Sequence, residues 1–190
     1  DMTLEKIAEA AKKIEAVHGK VLLYHGSKSG IEGVIEPKSR KQCDFGRGFY
    51  MGTDPGQALT LICDYEKSKF YIVSVDVNEL KLLNVPADIE WAMLVAYNRE
   101  RMESIKDTEF YNKYRNMAAG KDAALVHSLS ALQLGSQYVA VSQRGCDAIH
   151  IEAEIELSYL ERACIKEVAE ENRARGVSLA NDICKNYRRE

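Results

Sequence analysis

The chain has 190 residues, 46% of them hydrophobic and 29% charged. This is ordinary globular composition, and it excludes a collagen, a disordered tail and a disulfide-built scaffold. The balance of 26 basic against 29 acidic residues gives a net charge of −3 and an isoelectric point near 5.9, which argues against a general electrostatic grip on nucleic acid.

Leu4, Ile7, Ala8, Ala11, Ile14 and Val17 recur at helical spacing, so an amphipathic helix is predicted over 4–17, capped by Thr3 and ended by Gly19. Its charges leave no signal-peptide apolar centre. VLLYHGS, at 21–27, is a short apolar strand that runs into a turn. The stretch from Lys28 to Gly48 is long for a passive connection, which predicts a functional loop. FYMGT is the next strand. Asp54 and Pro55 then open a helix as N-cap and first helical residue, and it is expected to run to about Lys67. FYIVSVDV is the best strand in the chain, with Tyr71, Val73, Val75 and Val77 on one face.

Helices are predicted over 88–104, around Trp91, Leu94 and Val95, and over most of 107–134, with a break near Gly120. SQYVAVS at 136–142 is a strand. Beyond Cys146, Ile149, Ile151, Ala153, Ile155 and Leu157 alternate with His150, Glu152, Glu154 and Glu156. That is the period of a half-buried strand whose glutamates form a solvated face. Ser158 and Glu161 make a capping box that opens a charged helix, expected to end at Gly176 before a short last helix from Ser178. No apolar run reaches the roughly 18 residues of a membrane helix. The order predicts one α+β domain over 1–190, with residues 157–190 as a helical C-terminal arm.

Five cysteines, an odd number with no C-x-x-C pair, and four scattered histidines predict no metal site. Reduced thiols in a cytoplasmic protein are the simplest reading. Gly46, Gly48 and Gly52 give G-x-G-x-x-x-G, which misses the dinucleotide fingerprint by one residue and precedes a strand rather than a helix. No G-x-x-x-x-G-K occurs, so a Rossmann or P-loop reading fails.

LYHGS at 23–27, DFGRGFYMGTD at 44–54 and SQYVAVS at 136–142 resemble, in order and in strand position, the ADP-ribosyltransferase superfamily. The closer resemblance is to its diphtheria-toxin and poly(ADP-ribose) polymerase branch. The chain is also similar to a bacterial family of unknown function often encoded in apparent toxin–antitoxin loci. The resemblance implies an ADP-ribosyltransferase-like split β-sandwich of two packed, mostly antiparallel sheets with surrounding helices, and NAD in the cleft between them. It implies that His25 bonds an NAD ribose hydroxyl, that the backbone of Gly26 grips the nicotinamide carboxamide, and that Tyr50 packs on the nicotinamide ring. Ser27 would lie at the same mouth, and Arg47 would pair with the pyrophosphate, whose geometry suits a guanidinium.

The family's catalytic glutamate falls on Gln137, which keeps a hydrogen bond to the ribose 2′-hydroxyl and loses the charge opposite an oxocarbenium-like sugar. Loss of one such contact costs about 10²–10³ in rate. A second stacking tyrosine of the polymerases falls on Leu61, with Tyr65 the nearest aromatic substitute. Taken singly, His25, Tyr50 and the GRG turn each have a structural reading, and His18, His127 and His150 have only that one. The expected activity is NAD-dependent mono-ADP-ribosyl transfer to a protein, nucleic-acid or small-molecule acceptor, in a toxin-like protein. The rivals are an inactive NAD or ADP-ribose binding module, the partner-bound half of a toxin–antitoxin pair that uses its charged arm, and an RNA 2′-phosphotransferase. The last is disfavoured because Tyr50 stands where a second histidine is expected.

Overall fold

The strands join into one sheet, and helices cover it from outside; the computed structural model describes residues 2–86, 88–126 and 135–187. In chain order the elements are α1 (Met2–His18), β1 (Leu22–Ser27), β2 (Phe49–Gly52), α2 (Pro55–Ile62), β3 (Lys69–Val75), β4 (Leu82–Val85), α3 (Ile89–Asn98), α4 (Glu109–Ala118), β5 (Ala123–Val126), β6 (Gln137–Ala140), α5 (Gln143–Asp147), β7 (Ile149–Glu156) and α6 (Tyr159–Tyr187). Local chemistry starts the helices. Asp54 accepts from Gly56 N at 3.0 Å to cap α2, Asp88 caps α3 and Thr108 caps α4. Ser158 and Glu161 exchange the two bonds of a capping box at α6. Among the described residues no helix is long and apolar enough to cross a membrane.

The sheet runs β4-β5-β6-β2-β1-β3-β7, and every neighbouring pair is antiparallel except β4 and β5. The two separate sheets expected from sequence are thus one hydrogen-bonded sheet. Its pairing is uneven, however. β1 registers six residues against β3, and β2 registers four against β6. β1 and β2 share the single pair Tyr24↔Gly52.

Side-chain alternation then builds three cores. Leu22, Phe70 and Ile72 pack outward on Ile7 of α1, Leu59 and Ile62 of α2 and Ile165 of α6. Ala124, Val126 and Val139 pack outward on Leu94 of α3 and on Tyr111 and Tyr114 of α4. The third core gathers the opposite faces of both halves: Leu23, Tyr71 and Val73 with Phe49, Met51, Tyr138 and Ala140. The two halves of the sheet therefore face each other across the β1/β2 joint. Full burial of one such aliphatic or aromatic side chain contributes about 1.5–3 kcal/mol.

Several expectations change in three dimensions. The segment 107–134 is not mainly helical. Gly120, at φ +67°, ends the helical part, and Ala123–Val126 is a strand paired on both sides, with β4 and β6. Its Ala and Leu favour helix locally, but two ladders outweigh a propensity worth only tenths of a kcal/mol per residue. Residues 127–134, His127 included, lie outside the described residues. β4 had no distinct sequence signal. α2 stops at Ile62 rather than near Lys67, because the turn Tyr65 N→Ile62 O and Ser68 N→Tyr65 O delivers the chain to β3. α6 passes through Gly176 without a break. Nothing lies within 4 Å of a Cβ built there, so no packing opposes the helix. A β-bulge between Ile72 and Val73 divides the alternating row of β7: Ile149 joins the inner core, Ala153 and Ile155 pack on the outer one, and Ile151 is 45% exposed.

The contact between α2 and β1 is close enough to be tested. A Cβ on Gly26 would stand 2.6 Å from the Ala58 carbonyl oxygen and 2.8 Å from Ile62 Cγ2. Gly26→Ala is expected to destabilise the fold by about 1–3 kcal/mol through overpacking. For a chain of this size each kcal/mol lowers Tm by about 2–4 °C, and scanning calorimetry reads the shift.

Candidate active cleft

Where β1 leaves β2, a cleft opens. Paired residues share a face of a sheet, so the register Tyr24↔Gly52↔Gln137 sets Tyr24 and Gln137 on either side of a residue with no side chain. The smaller lobe, about 230 Å³, is lined by Tyr24, His25, Gly26, Tyr50, Trp91 and Gln137 among others. A larger lobe of about 690 Å³ carries Arg40, Arg99 and Arg101. Asp44, Tyr50, Gln57, Leu61 and Gln137 line both, so the two lobes are one continuous cleft.

His25 spans the joint. Its Nδ1 lies 2.6 Å from the Tyr50 carbonyl oxygen, and its ring stacks on Phe49 at 3.8 Å. A carbonyl only accepts, so Nδ1 carries the ring proton and Nε2 is left as an acceptor. Burial lowers the His25 pKa to about 4, against a smaller opposite effect of the Tyr50 bond, so the ring is neutral near pH 7. The Tyr50 hydroxyl donates to Gly46 O at 2.7 Å and accepts from Phe45 N at 2.9 Å, while burial pushes its pKa far up. Tyr50 thus presents a ring to the cleft and spends its hydroxyl on the loop.

That loop, 28–48, is held by side chains rather than by a ladder of its own. Tyr71 Oη accepts from Ile31 N at 2.8 Å, Gln143 Nε2 donates to Ile35 O at 2.9 Å, and Ser39 Oγ accepts from Gly48 N at 3.0 Å. The glycines of GRG do different jobs. Gly46 takes φ +71°, whereas a Cβ on Gly48 would sit 2.6 Å from Val139 Cγ1, so Gly48 lets the loop lie on β6.

Of the residues singled out from sequence, His25, Gly26, Tyr50 and Gln137 meet in the cleft. Ser27 and Arg47 do not. Ser27 registers against Lys69 at the end of β1. Arg47 lines a separate 440 Å³ cavity with Tyr97, Arg115 and Lys121. The side of Gly26 that lacks a Cβ faces α2, so a close approach of a ligand there is not what requires this glycine. Its β2-facing edge, beyond Tyr24, has no registered partner on β2. Tyr65 carries Lys28 over its ring at 4.8 Å and lines neither lobe; Leu61 lines both.

Sequence reasoning missed Arg40, Arg99, Arg101 and Trp91. The three arginines come from the loop and from the end of α3, over 50 residues apart, and no motif links them. Arg99 pairs with Asp44, with Nε 2.8 Å from Oδ1. Among the described residues the guanidinium groups of Arg40 and Arg101 make no ion pair. The cleft's carboxylates are engaged: Asp44 with Arg99, Asp54 as the α2 cap, and Glu100 with Lys41 and Gln42, which hold it below the usual carboxylate range. Glu152, Glu154 and Glu156 lie away from the cleft; Glu152 accepts from Ser74 Oγ at 2.7 Å, and Lys69 pairs with the other two. No group of three or more His, Cys, Asp or Glu side chains is gathered around a metal-sized site among the described residues.

A family model described as "Protein of unknown function (DUF3990)" matches residues 21–150, from the residue before β1 to the second residue of β7, a span that contains every cleft residue named above. The search of curated proteins found no match.

The buried neutral His25 makes stability depend on pH. Between about pH 6.5 and 4 the unfolded chain binds a proton at His25 that the folded chain does not, so stability falls as pH falls through this window and levels off below it. At pH 4.5 the contribution is about 2–3 kcal/mol. Urea unfolding at pH 7 and pH 4.5 is expected to show a loss larger by that amount for the parent than for His25→Phe. Equal losses would mean that His25 is not held neutral.

Proposed function

The chain belongs to the DUF3990 family of proteins of unknown function, and we propose that its cleft binds NAD and transfers the ADP-ribose to a nucleophile, as a mono-ADP-ribosyltransferase. The observation that carries this reading is the meeting, at one sheet joint, of an aromatic-lined lobe and a lobe with three arginines, with Tyr50 and Gln137 shared between them. A dinucleotide has the matching halves: flat rings and a pyrophosphate. The three segments that resemble the superfamily fall on β1, β2 and β6, which are neighbours in the sheet. The sheet halves that face each other across one Cα pair are read here as the superfamily's split β-sandwich.

In this reading His25 Nε2 accepts from a ribose hydroxyl, Tyr50 covers the nicotinamide ring, and Arg40 and Arg101 take the pyrophosphate in the larger lobe. Arg47 is replaced in that role. The C1′–N bond breaks with its electron pair leaving on nicotinamide, and the acceptor's nucleophile attacks C1′ and loses its proton. Gln137 accepts from the 2′-hydroxyl and so orients the sugar, without a charge of its own. A second reading, an NAD or ADP-ribose binding module without turnover, is favoured by one observation: each carboxylate of the cleft is already paired or capping, so none replaces the charge that Gln137 lacks.

Calorimetry with NAD and nicotinamide release on the parent, Arg101→Ala, Gln137→Ala and Gln137→Glu test both. The parent is expected to bind NAD, and Arg101→Ala to bind it about 10-fold more weakly, with the difference shrinking at high salt. A transferase loses turnover in Gln137→Ala. A binding module is silent as the parent and gains turnover, if at all, in Gln137→Glu, on the scale of 10–10³ for one electrostatic contact. No heat with either NAD or ADP-ribose on the folded parent would overturn both readings.

A further inference from the structure

Two buried polar atoms on the wall of the smaller lobe have no partner: Gln57 Oε1, from α2, and Trp91 Nε1, from α3. Native proteins pair nearly all such atoms, so a pair left bare in one cavity calls for a reason. Trp91 packs on the core around Leu94, Tyr111 and Tyr114, but that packing leaves its N–H without a partner. The face of α2 that packs on the sheet is Ala58, Leu59 and Ile62, and Leu94 is the buried residue of α3. Much of the remaining wall is apolar or aromatic, with Tyr24, Met51, Ala58 and Leu61.

The two atoms have opposite roles. An indole N–H only donates and an amide oxygen only accepts. A ligand that satisfies both must bring one acceptor and one donor on a flat, otherwise apolar body. At about 230 Å³ the lobe falls below the roughly 300 Å³ where pockets for drug-sized ligands begin, so it suits a single small ring.

We propose that Gln57 and Trp91, in place of the Gly26 backbone that the resemblance implies, are a specificity pair for a primary carboxamide on an aromatic ring, whose N–H donates to Gln57 Oε1 and whose C=O accepts from Trp91 Nε1. The inference rests on the NAD reading and deepens it, because it seats the nicotinamide end in the smaller lobe and selects against the acid analogue. A carboxylate offers two acceptors, so it sets an anion against Gln57 Oε1 and leaves that atom unpaired. A purine edge also offers a donor beside an acceptor, but its phosphates then have to reach the arginine lobe from the other end of the cleft.

Trp91 is the chain's single tryptophan, so its fluorescence reports occupancy of this lobe directly. The titrants are NAD, its deamido analogue with a carboxylate in place of the carboxamide, and ADP-ribose. Calorimetry accompanies the fluorescence, and near-UV circular dichroism checks that each variant is folded. The parent is expected to prefer NAD over deamido-NAD by at least 10-fold. Trp91→Phe keeps a ring and removes the N–H; Gln57→Leu keeps most of the volume and removes the acceptor. Each is expected to weaken NAD about 10- to 100-fold and deamido-NAD much less, so the preference collapses. If NAD binds but the parent does not discriminate, or the folded variants discriminate as well as the parent, the pair is overturned and the NAD reading stands. If ADP-ribose binds as tightly as NAD and suffers the same losses, the lobe reads adenine and the carboxamide assignment is again overturned alone. If neither NAD nor ADP-ribose gives heat or a fluorescence change, both inferences fall together.

Discussion

Everything at the cleft depends on how β1 and β2 part. Adjacent strands normally share a ladder; here they share one residue pair, and then the sheet halves turn to face each other around the inner core. The bond from His25 Nδ1 to the Tyr50 carbonyl stands in for the missing ladder. Burial keeps the ring that makes it uncharged. A protonated ring would bring a charge into the stack on Phe49, and the pH dependence of stability expresses that cost. The His25 that resemblance assigns to a ligand is thus also the clasp of the sheet, and the two roles use different ring nitrogens.

The same geometry explains why glycine and side-chain bonds concentrate around the opening. A parted sheet leaves backbone groups that no neighbouring strand satisfies, and loops that close over it lack ladders of their own. The 28–48 loop meets this with Tyr50, Ser39, Tyr71, Gln143 and Asn98 acting on its backbone. Gly48 and Gly26 allow the loop to reach β6 and α2 to reach β1 at distances that a Cβ would forbid. α2 and α3 can then each bring a side chain, Gln57 and Trp91, to the wall of one small lobe.

The electrostatics of the cleft are lopsided in a way that bears on chemistry. Cations line its larger lobe, its carboxylates are tied to structural partners, and the residue at the position of the expected catalytic acid is neutral. Such a site favours binding of an anionic ligand without supplying a counter-charge to a developing cation. In the transferase we propose, Gln137 orients the sugar through a hydrogen bond, and the rate rests on position more than on charge.

Much of the secondary structure was legible because its signals are local. The Asp54 cap, the Ser158–Glu161 box, the strand signal at 70–75 and the turn at Gly46 need only neighbouring residues, and each stands where the sequence places it, although Val77 falls beyond β3 and is 46% exposed. The strands carrying His25, Tyr50 and Gln137 could also be ordered along the chain, and His25, Gly26, Tyr50 and Gln137 do converge on the cleft. What lay beyond the sequence depends on partners distant along the chain. Ala123–Val126 is a strand because β4 and β6 flank it, and α6 continues through Gly176 because nothing packs there to break it. Arg47 turns away from the cleft while Arg99 and Arg101 turn toward it, since the path of the loop and the end of α3 decide which guanidinium faces the lobe. Trp91 shows the limit most plainly. In one dimension it is an apolar residue at helical spacing. Only the fold, which sets residues of α2 and α3 around one lobe, leaves its N–H bare on the wall of a cavity, because a hydrogen-bonding role belongs to a pair of surfaces and not to a residue.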